Sequence, residues 1–514
     1  MLARVNSVAH IGLSSVLVEV EVDVATQGFP GFNIVGLPGK AVEESKERVK
    51  TAIVNSGYSF PQKKITVNLA PADIVKDGGC YDLPIAIGIL IASGEIAPRE
   101  NDAIFCNAII YGELSLDGSV RHTRGVLLVG IFAKEVKIDS VFVPIESSQE
   151  AAVVDGILVY PVRNLGEVVS HLNEVRLINP LKTININELF ADAESEFDFS
   201  EVVGQEQAKR AMIIAASGAH NIILSGPPGS GKTMLARAVP SILPMLSPKE
   251  ALEVTRIYSA SGLLPSGEAV VRVRPFRSPH HSTSLVGLIG GGTKPNPGEI
   301  SLAHLGVLFL DEMAEFPRSV MESIRQPMED GKVIVSRAAG RVTYPANFML
   351  VAAVNPCPCG FLGHPKRQCQ CTIYQIEKYK RRISGPILDR IDLHVHAPAV
   401  EVEKLEANSD INRQTSKEIR EQVVKVRQIQ EKRFNEESGL YTNSQMKNKH
   451  VKKYCRLDKD GNLLIKMAVD KYDLSARGYF RLLKVARTIA DLAGSQNITS
   501  AHVAEALQYR VRVF

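Results

Sequence analysis

The stretch Ser15-Val16-Leu17-Val18-Glu19-Val20-Glu21-Val22-Asp23-Val24 alternates apolar with small or acidic positions at period two, the pattern of a half-buried strand. Gly28-Phe29-Pro30-Gly31 breaks it, and Val35-Gly36-Leu37-Pro38-Gly39 opens a helix expected over 41–55. A strand at Ile65-Thr66-Val67-Asn68-Leu69, a buried helix from Leu83 to Ser93 and a strand at Ser140-Val141-Phe142-Val143-Pro144 continue the pattern, which ends near His171. Residues 174–200 are mixed, with Asn179-Pro180 and the acidic run Asp192-Ala193-Glu194-Ser195-Glu196, and are expected to form a linker. Beyond it, three unbroken apolar runs read as buried parallel strands: Asn221-Ile222-Ile223-Leu224-Ser225, Gly306-Val307-Leu308-Phe309-Leu310 and Phe348 to Val354. Lys332 to Tyr344 shows two alternating arms around a small turn, a hairpin pattern with cations near its tip. After Val400 the composition becomes helical and highly charged, with an amphipathic segment from Ile411 to Phe434 and helices expected over 463–472, 476–493 and 500–509. The fold class is therefore α/β, divided into residues 1–173, a linker at 174–200, a parallel-sheet core at 201–400 and a helical region at 401–514.

Composition changes this picture little. Hydrophobic residues make up 45% and charged residues 23% of 514, values of a globular chain with length for several cores. Lys+Arg 60 against Asp+Glu 56 leaves a formal charge of +4, which permits a nucleic-acid partner without arguing for one. No apolar run reaches membrane-spanning length, and the N-terminus lacks a secretory pattern, so a cytoplasmic protein with no membrane partner is expected.

The first of the apolar runs opens onto Gly226-Pro227-Pro228-Gly229-Ser230-Gly231-Lys232-Thr233, a complete G-x-x-x-x-G-K-T between a strand and a helix. In such a loop, glycines let backbone N–H groups turn onto phosphates and the helix adds the positive end of its dipole. Lys232 would reach the β- and γ-phosphates of ATP, and the Thr233 hydroxyl would hold Mg²⁺. The second run ends in Asp311 and Glu312, two carboxylates at the C-terminal tip of a buried strand, where open parallel sheets bind ligands. Asp311 would hold Mg²⁺ through water and Glu312 would polarise the attacking water.

Cys357-Pro358-Cys359 and Cys369-Gln370-Cys371 place four of the seven cysteines within fifteen residues. Four thiolates satisfy a structural, tetrahedral Zn²⁺. The C-x-C spacing is tighter than the usual knuckle, so free thiols, or His364 replacing one ligand, stay open as alternatives. Arg272 to Gly298 carries paired His280 and His281 with no third ligand in sight, and is expected to be a loop making polar contacts to a partner or to nucleic acid.

Five resemblances sharpen these expectations. Lys76-Asp77-Gly78-Gly79-Cys80-Tyr81-Asp82-Leu83-Pro84 together with Gly112 to Val120 resembles the proteolytic domain of Lon-type proteases. The serine position of that family's Ser–Lys dyad falls on Cys80 and the lysine position on Leu127, which implies the α+β fold without the activity, since leucine carries no base. Asn355, at the tip of the third run, is similar to the sensor-1 residue of AAA+ ATPases. The order of motifs over nearly the whole chain resembles the magnesium-chelatase-like ComM/YifB family. Leu388-Asp389-Arg390-Ile391-Asp392-Leu393 is similar to the arginine-finger segment of MCM helicases, and Leu474-Ser475-Ala476-Arg477-Gly478 to sensor 2. The resemblance implies catalytic roles for Lys232, Asp311, Glu312, Asn355, Arg390 and Arg477. It also implies a hexamer, because a finger completes a neighbour's site. The hairpin, by the same likeness, would touch DNA through Lys332, Arg337 and Arg341. The implied activity is a DNA helicase promoting branch migration in recombination or natural transformation, on single-stranded or branched DNA and with recombination proteins as partners. A chelatase-type motor on a tetrapyrrole, a protein-remodelling ATPase or a nucleotide-gated scaffold are the alternatives.

Overall fold

A computed structural model describes residues 2–27, 29–97, 107–190, 197–265, 267–292, 295–337, 340–364, 366–383, 385–399, 414–437, 439–472 and 474–510. Two mainly parallel sheets, each with helices against it, follow one another along the chain.

The first sheet has seven strands: β1 (Leu2–Ile11), β2 (Ser14–Val24), β3 (Gly31–Val35), β4 (Lys64–Ala70), β5 (Ala108–Ile110), β6 (Ser140–Pro144) and β7 (Leu158–Val162), in the order β3-β4-β2-β1-β5-β6-β7. β1 and β2 form an antiparallel hairpin from Leu2↔Asp23 to Ile11↔Ser14. The period-two alternation of β2 sends Val18, Val20, Val22 and Val24 inward, all buried. The helix Asp82–Ser93 is buried along nearly its whole length, which is why its sequence shows a continuous apolar run and no stripe. At Gly88 an added Cβ would lie 2.5 Å from Val22 Cγ2, so the helix presses directly on the sheet.

Two expectations for this region need correcting. The helix expected over 41–55 is two pieces, Lys40–Glu43 and Ser45–Asn55. The described part of the expected linker is packed: Ile178, Leu181, Ile184, Ile186, Leu189 and Phe190 lie against the first core, because apolar residues recur through the stretch among its polar ones. The acidic residues 192–196 lie outside the described residues.

The second sheet is five-stranded and parallel, with β8 (Ile222–Ser225), β9 (Phe276–Arg277), β10 (Val307–Leu310), β13 (Met349–Val354) and β14 (Leu393–His396) in the order β9-β10-β13-β8-β14. Every residue of β8, β10 and β13 is buried, as unbroken apolar strands covered on both faces must be. Between β10 and β13 the chain makes the hairpin β11 (Lys332–Arg337) and β12 (Gly340–Pro345), paired from Lys332↔Pro345 to Arg337↔Gly340. Five helices, Ser416–Phe434, Asn448–Tyr454, Lys459–Tyr472, Ala476–Leu492 and Ser500–Gln508, form the C-terminal region. The start of the amphipathic segment, 411–413, lies outside the described residues. No helix among the described residues is long and apolar enough to cross a membrane.

The helix Pro248–Ser261 belongs to both halves. Its Ala251 and Val254 enter the first core, and the Gly125 N–H donates to the Ser259 carbonyl at 2.9 Å.

Candidate functional site: a nucleotide cradle at the tip of the parallel sheet

β8 delivers Gly226 to Gly231 to the C-terminal edge of the second sheet, and α1 (Lys232–Ile242) leaves from it. A Cβ at Gly226 would stand 2.0 Å from the Ala397 carbonyl oxygen, so only glycine passes there. Gly229 and Gly231 take left-handed φ of 75° and 81°, which curls Pro227 to Ser230 into a cradle. Ser230 and Lys232 are buried in it, while Gly229 and Thr233 are exposed.

The Lys232 ammonium donates to the carbonyls of Gly226 and Pro227, both at 2.8 Å, and lies 3.4 Å from Asn355 Oδ1. Burial pulls its pKa below the ordinary lysine value, and the carboxylates of Asp311 and Glu312 oppose that pull. The Thr233 hydroxyl donates to Asp311 Oδ2 at 2.9 Å, and Asp311 Oδ1 accepts the Glu312 N–H at 2.9 Å. Both oxygens of Asp311 are thus fixed, beside a hydroxyl that together with them could hold a divalent cation.

Glu312 sits at φ 48°, a left-handed conformation costly for a non-glycine residue, with its side chain 53% exposed. Its carboxylate faces His281 Nδ1 at 3.6 Å. β13 lies between β8 and β10, so Asn355 emerges between the P-loop lysine and the acidic pair.

Of the two arginines that the resemblance implies, Arg390 is expected to serve a neighbouring subunit's nucleotide and Arg477 to face a phosphate. Arg390 is buried, its Nη2 paired with Glu329 Oε1 at 2.6 Å and its Nη1 donating to the Pro386 carbonyl at 2.7 Å. Arg477 is exposed in the first turn of the helix Ala476–Leu492, and makes no hydrogen bond or ion pair among the described residues. One turn later, Arg481 holds the carbonyl of Arg390 at 2.8 Å and the carboxylate of Asp392.

The four cysteines gather just beyond Asn355. Their sulfurs lie within 4.8 Å of one another, with Cys357 to Cys359 at 3.4 Å and both to Cys369 at 3.6 Å. Four thiolates about 2.3 Å from a tetrahedral Zn²⁺ would stand about 3.8 Å apart, so the set fits that ion. Backbone N–H donors, that of Phe361 foremost, bring the Cys359 thiol down to about 6. His364 instead accepts the N–H groups of Lys366 and Arg367 through Nδ1.

Of the hairpin cations, Lys332 and Arg341 are exposed, while the side chain of Arg337 lies outside the described residues. Val333, Val335, Val342 and Tyr344 turn the other face into a third core, built on Leu308, Leu310 and Leu350 of the second sheet. A Cβ at Gly12, in the β1–β2 turn, would meet Val342 Cγ1 at 2.1 Å, so the N-terminal domain rests on this hairpin.

Sequence reasoning missed three participants. His281 was expected to face a partner or nucleic acid and instead faces Glu312. Gln205 donates to the carbonyls of Ser230 and Pro398, strapping the P-loop from outside. Gly360 lies so close to the P-loop that a Cβ would meet Pro228 Cδ at 2.5 Å. No local signal pointed to any of them, since the stretch holding His281 is expected only as a loop.

In the N-terminal domain, Cys80 is 8% exposed, and burial pushes its thiol up to about 12. Leu127 is fully buried, and its N–H donates to Glu150 Oε2 at 3.3 Å.

A strand order that places Asn355 between a P-loop and an acidic strand tip, with helices after the sheet, defines an AAA+ P-loop ATPase. Three family models match: "Magnesium chelatase, subunit ChlI" over residues 198–405, "Subunit ChlI of Mg-chelatase" over 20–147 and "Magnesium chelatase, subunit ChlI C-terminal" over 413–510. The chain is 42% identical to the competence protein ComM of Haemophilus influenzae, covering 100% of this chain and 98% of that protein. It is 40% identical to the uncharacterized protein YifB of Escherichia coli, covering 99% and 97%. The magnesium-chelatase 67 kDa subunit of Chlorobaculum parvum is 30% identical over 31% of this chain and 23% of its own length. The chain belongs to the magnesium-chelatase-like ComM/YifB family of AAA+ ATPases, and ATP and Mg²⁺ are the nucleotide and metal that membership implies.

Proposed function

We propose that this ATPase is a ring motor acting on DNA, assembled as a hexamer and promoting branch migration. Lys232 neutralises the β- and γ-phosphates, and Thr233 with Asp311 holds Mg²⁺. Glu312 orients the attacking water, and Asn355 bonds the γ-phosphate or that water. Arg390 and Arg477 contribute charge at a subunit boundary, Arg390 after exchanging Glu329 for the neighbour's phosphate. Zn²⁺ in the four-cysteine set is structural, because four protein ligands leave no open position. Cys80, neutral and buried, has no part in the chemistry.

The observation that carries the DNA reading is the hairpin, with its apolar face seated in the ATPase core and Lys332 and Arg341 on the other. Repeated around a ring, those cations would concentrate a charge that the near-neutral chain hides, and they suit backbone contact without sequence reading. The match to a competence protein agrees with a role on incoming DNA. The test is ATP turnover with and without single-stranded and branched DNA, for the natural protein and for Arg337→Ala/Arg341→Ala. Stimulation abolished by the double substitution is the expected result, and turnover indifferent to DNA would overturn it. The partial match to a chelatase subunit favours one other reading, a tetrapyrrole-linked motor, for which porphyrin would stimulate turnover instead.

A further inference from the structure

The chain is nearly neutral overall, yet between residues 366 and 382 stand six cations, Lys366, Arg367, Lys378, Lys380, Arg381 and Arg382, against the single acid Glu377. Two of the six are answered, Arg381 by Glu377 at 3.7 Å and Arg382 by Glu315 at 2.6 Å. Lys366, Arg367, Lys378 and Lys380 have no carboxylate partner among the described residues. Amid them the helix α2 (Ile373–Lys380) exposes two large side chains at its start, Ile373 at 78% and Tyr374 at 72%. At its far end a groove of about 440 Å³ is lined by Arg318, Lys380 and Arg381.

This surface is held firmly. In the turn before the helix the four cysteine sulfurs converge within 4.8 Å of one another, and the Arg367 guanidinium lies 5.1 Å above the Phe361 ring. A capping box between Thr372 and Gln375 fixes the helix start, and Tyr379 is buried in the third core. Tyr374 thus leaves its ring 72% exposed within a cation-rich stretch. A base can stack on it while lysines and arginines take the flanking phosphates.

We propose that the cysteine turn and α2 form a contact for unpaired nucleic acid, separate from the hairpin, in which Tyr374 stacks on a base and Lys366, Arg367 and Lys378 hold phosphates. A duplex keeps its bases stacked on each other, so the ring selects the single strand. Because Gly360 of the same turn abuts Pro228, strand binding and the P-loop share a wall. The proposal rests on the reading of DNA as the substrate.

The test is fluorescence anisotropy of the full chain, with a non-hydrolysable ATP analogue, on a labelled oligothymidylate and on a duplex of equal length. Lys366→Glu/Arg367→Glu should weaken single-strand binding about tenfold or more and lower the salt slope by about 0.7 for each phosphate no longer held. Tyr374→Ala should weaken the single strand about fivefold or more and leave the duplex nearly unchanged. DNA-free ATP turnover equal to that of the natural protein certifies that each variant is folded. Wild-type binding that both variants retain, while Lys332→Ala/Arg341→Ala abolishes it, overturns this contact and leaves the DNA reading standing. A natural protein that binds neither oligonucleotide overturns both. Capture of poly-glutamate as tightly as of oligothymidylate, with Tyr374→Ala neutral, would assign the surface to an acidic protein and overturn the proposal.

Discussion

The P-loop and the Cys80 pocket lie in two sheets of one chain, and both have the outline of an enzyme site, yet they treat charge in opposite ways. At the P-loop, the Lys232 ammonium donates to loop carbonyls and Asp311 accepts from Thr233 and the Glu312 N–H, bonds that a phosphate or metal can replace, while the Glu312 carboxylate stands exposed with no hydrogen bond among the described residues. Around Cys80 burial has neutralised the nucleophile, and the position of a base is filled by Leu127. The leucine's N–H and the Ser259 hydroxyl of the ATPase helix instead both donate to Glu150 Oε2. Glu150, held by both, joins the two domains. What separates a site from a joint is whether its charges keep exchangeable partners.

The sharpest way to break this contrast is to remove one group from each region. Lys232→Ala or Glu312→Gln should lower ATP turnover by about 10²–10³-fold, the scale of removing one group that stabilises transition-state charge. Cys80→Ala should leave turnover within about twofold, since a thiol at about 12 contributes no nucleophile at neutral pH. Casein degradation should be absent with and without Cys80. Proteolysis abolished by Cys80→Ala would return the pocket to the enzymes.

The charges that the N-terminal domain does keep should matter to folding. Asp82 is fully buried, accepts from Arg48 Nε at 2.7 Å and Nη2 at 3.1 Å, and also accepts the Leu114 N–H at 3.3 Å. Burial pushes its carboxyl above the ordinary range, and the guanidinium opposes that. Arg48→Ala leaves the carboxylate without its partner, at a cost of about 3 kcal/mol. Denaturant unfolding followed by circular dichroism reads the loss, and ATP turnover per folded molecule should not change.

Legibility in the sequence follows the same division. The P-loop, the acidic pair, Asn355 and the hairpin were readable because each rests on neighbours in the chain: a motif of eight residues, an apolar run and its tip, two alternating arms. The parallel sheet came with them, since unbroken apolar strands demand cover on both faces. Glu329 beside Arg390, His281 beside Glu312 and Gly360 against Pro228 join residues tens of positions apart or more, and no periodicity reports such pairings. The packing of 178–190 was hidden for a different reason, because an irregular segment can be apolar on one side without repeating.

Glu150 sharpens the comparison through pH. Burial raises its carboxyl from 4.5 to about 7, against the opposing bonds from Ser259 and Leu127. The folded chain therefore holds this proton more tightly than the unfolded chain. The stability it contributes is complete below about 4.5 and is lost as pH rises to about 7. Glu150→Gln keeps a neutral acceptor in place and should remove that decline, a gain of about 2 kcal/mol at pH 8 relative to pH 5. Thermal midpoints of the two proteins across that range check it, and parallel curves would refute an ionisable joint.

The smallest expected effect concerns His281 and asks how far the exchangeable character of the P-loop site extends. Its Nδ1 lies 3.6 Å from Glu312 Oε2, beyond hydrogen-bond length, and the two side chains are 37% and 53% exposed. Solvent screens such a pair, so the interaction holds the carboxylate's direction weakly. A carboxylate already strained at φ 48° has few other supports, however, and its direction decides whether the attacking water is aligned. His281→Ala should therefore lower kcat about two- to fivefold with KM for ATP nearly unchanged, because ground-state nucleotide binding rests on Lys232 and the loop. His281→Gln, which retains a polar group at similar reach, should recover most of the loss. A rise in KM with kcat intact would instead make His281 part of the nucleotide's binding wall, and the orienting group for Glu312 would have to come from elsewhere.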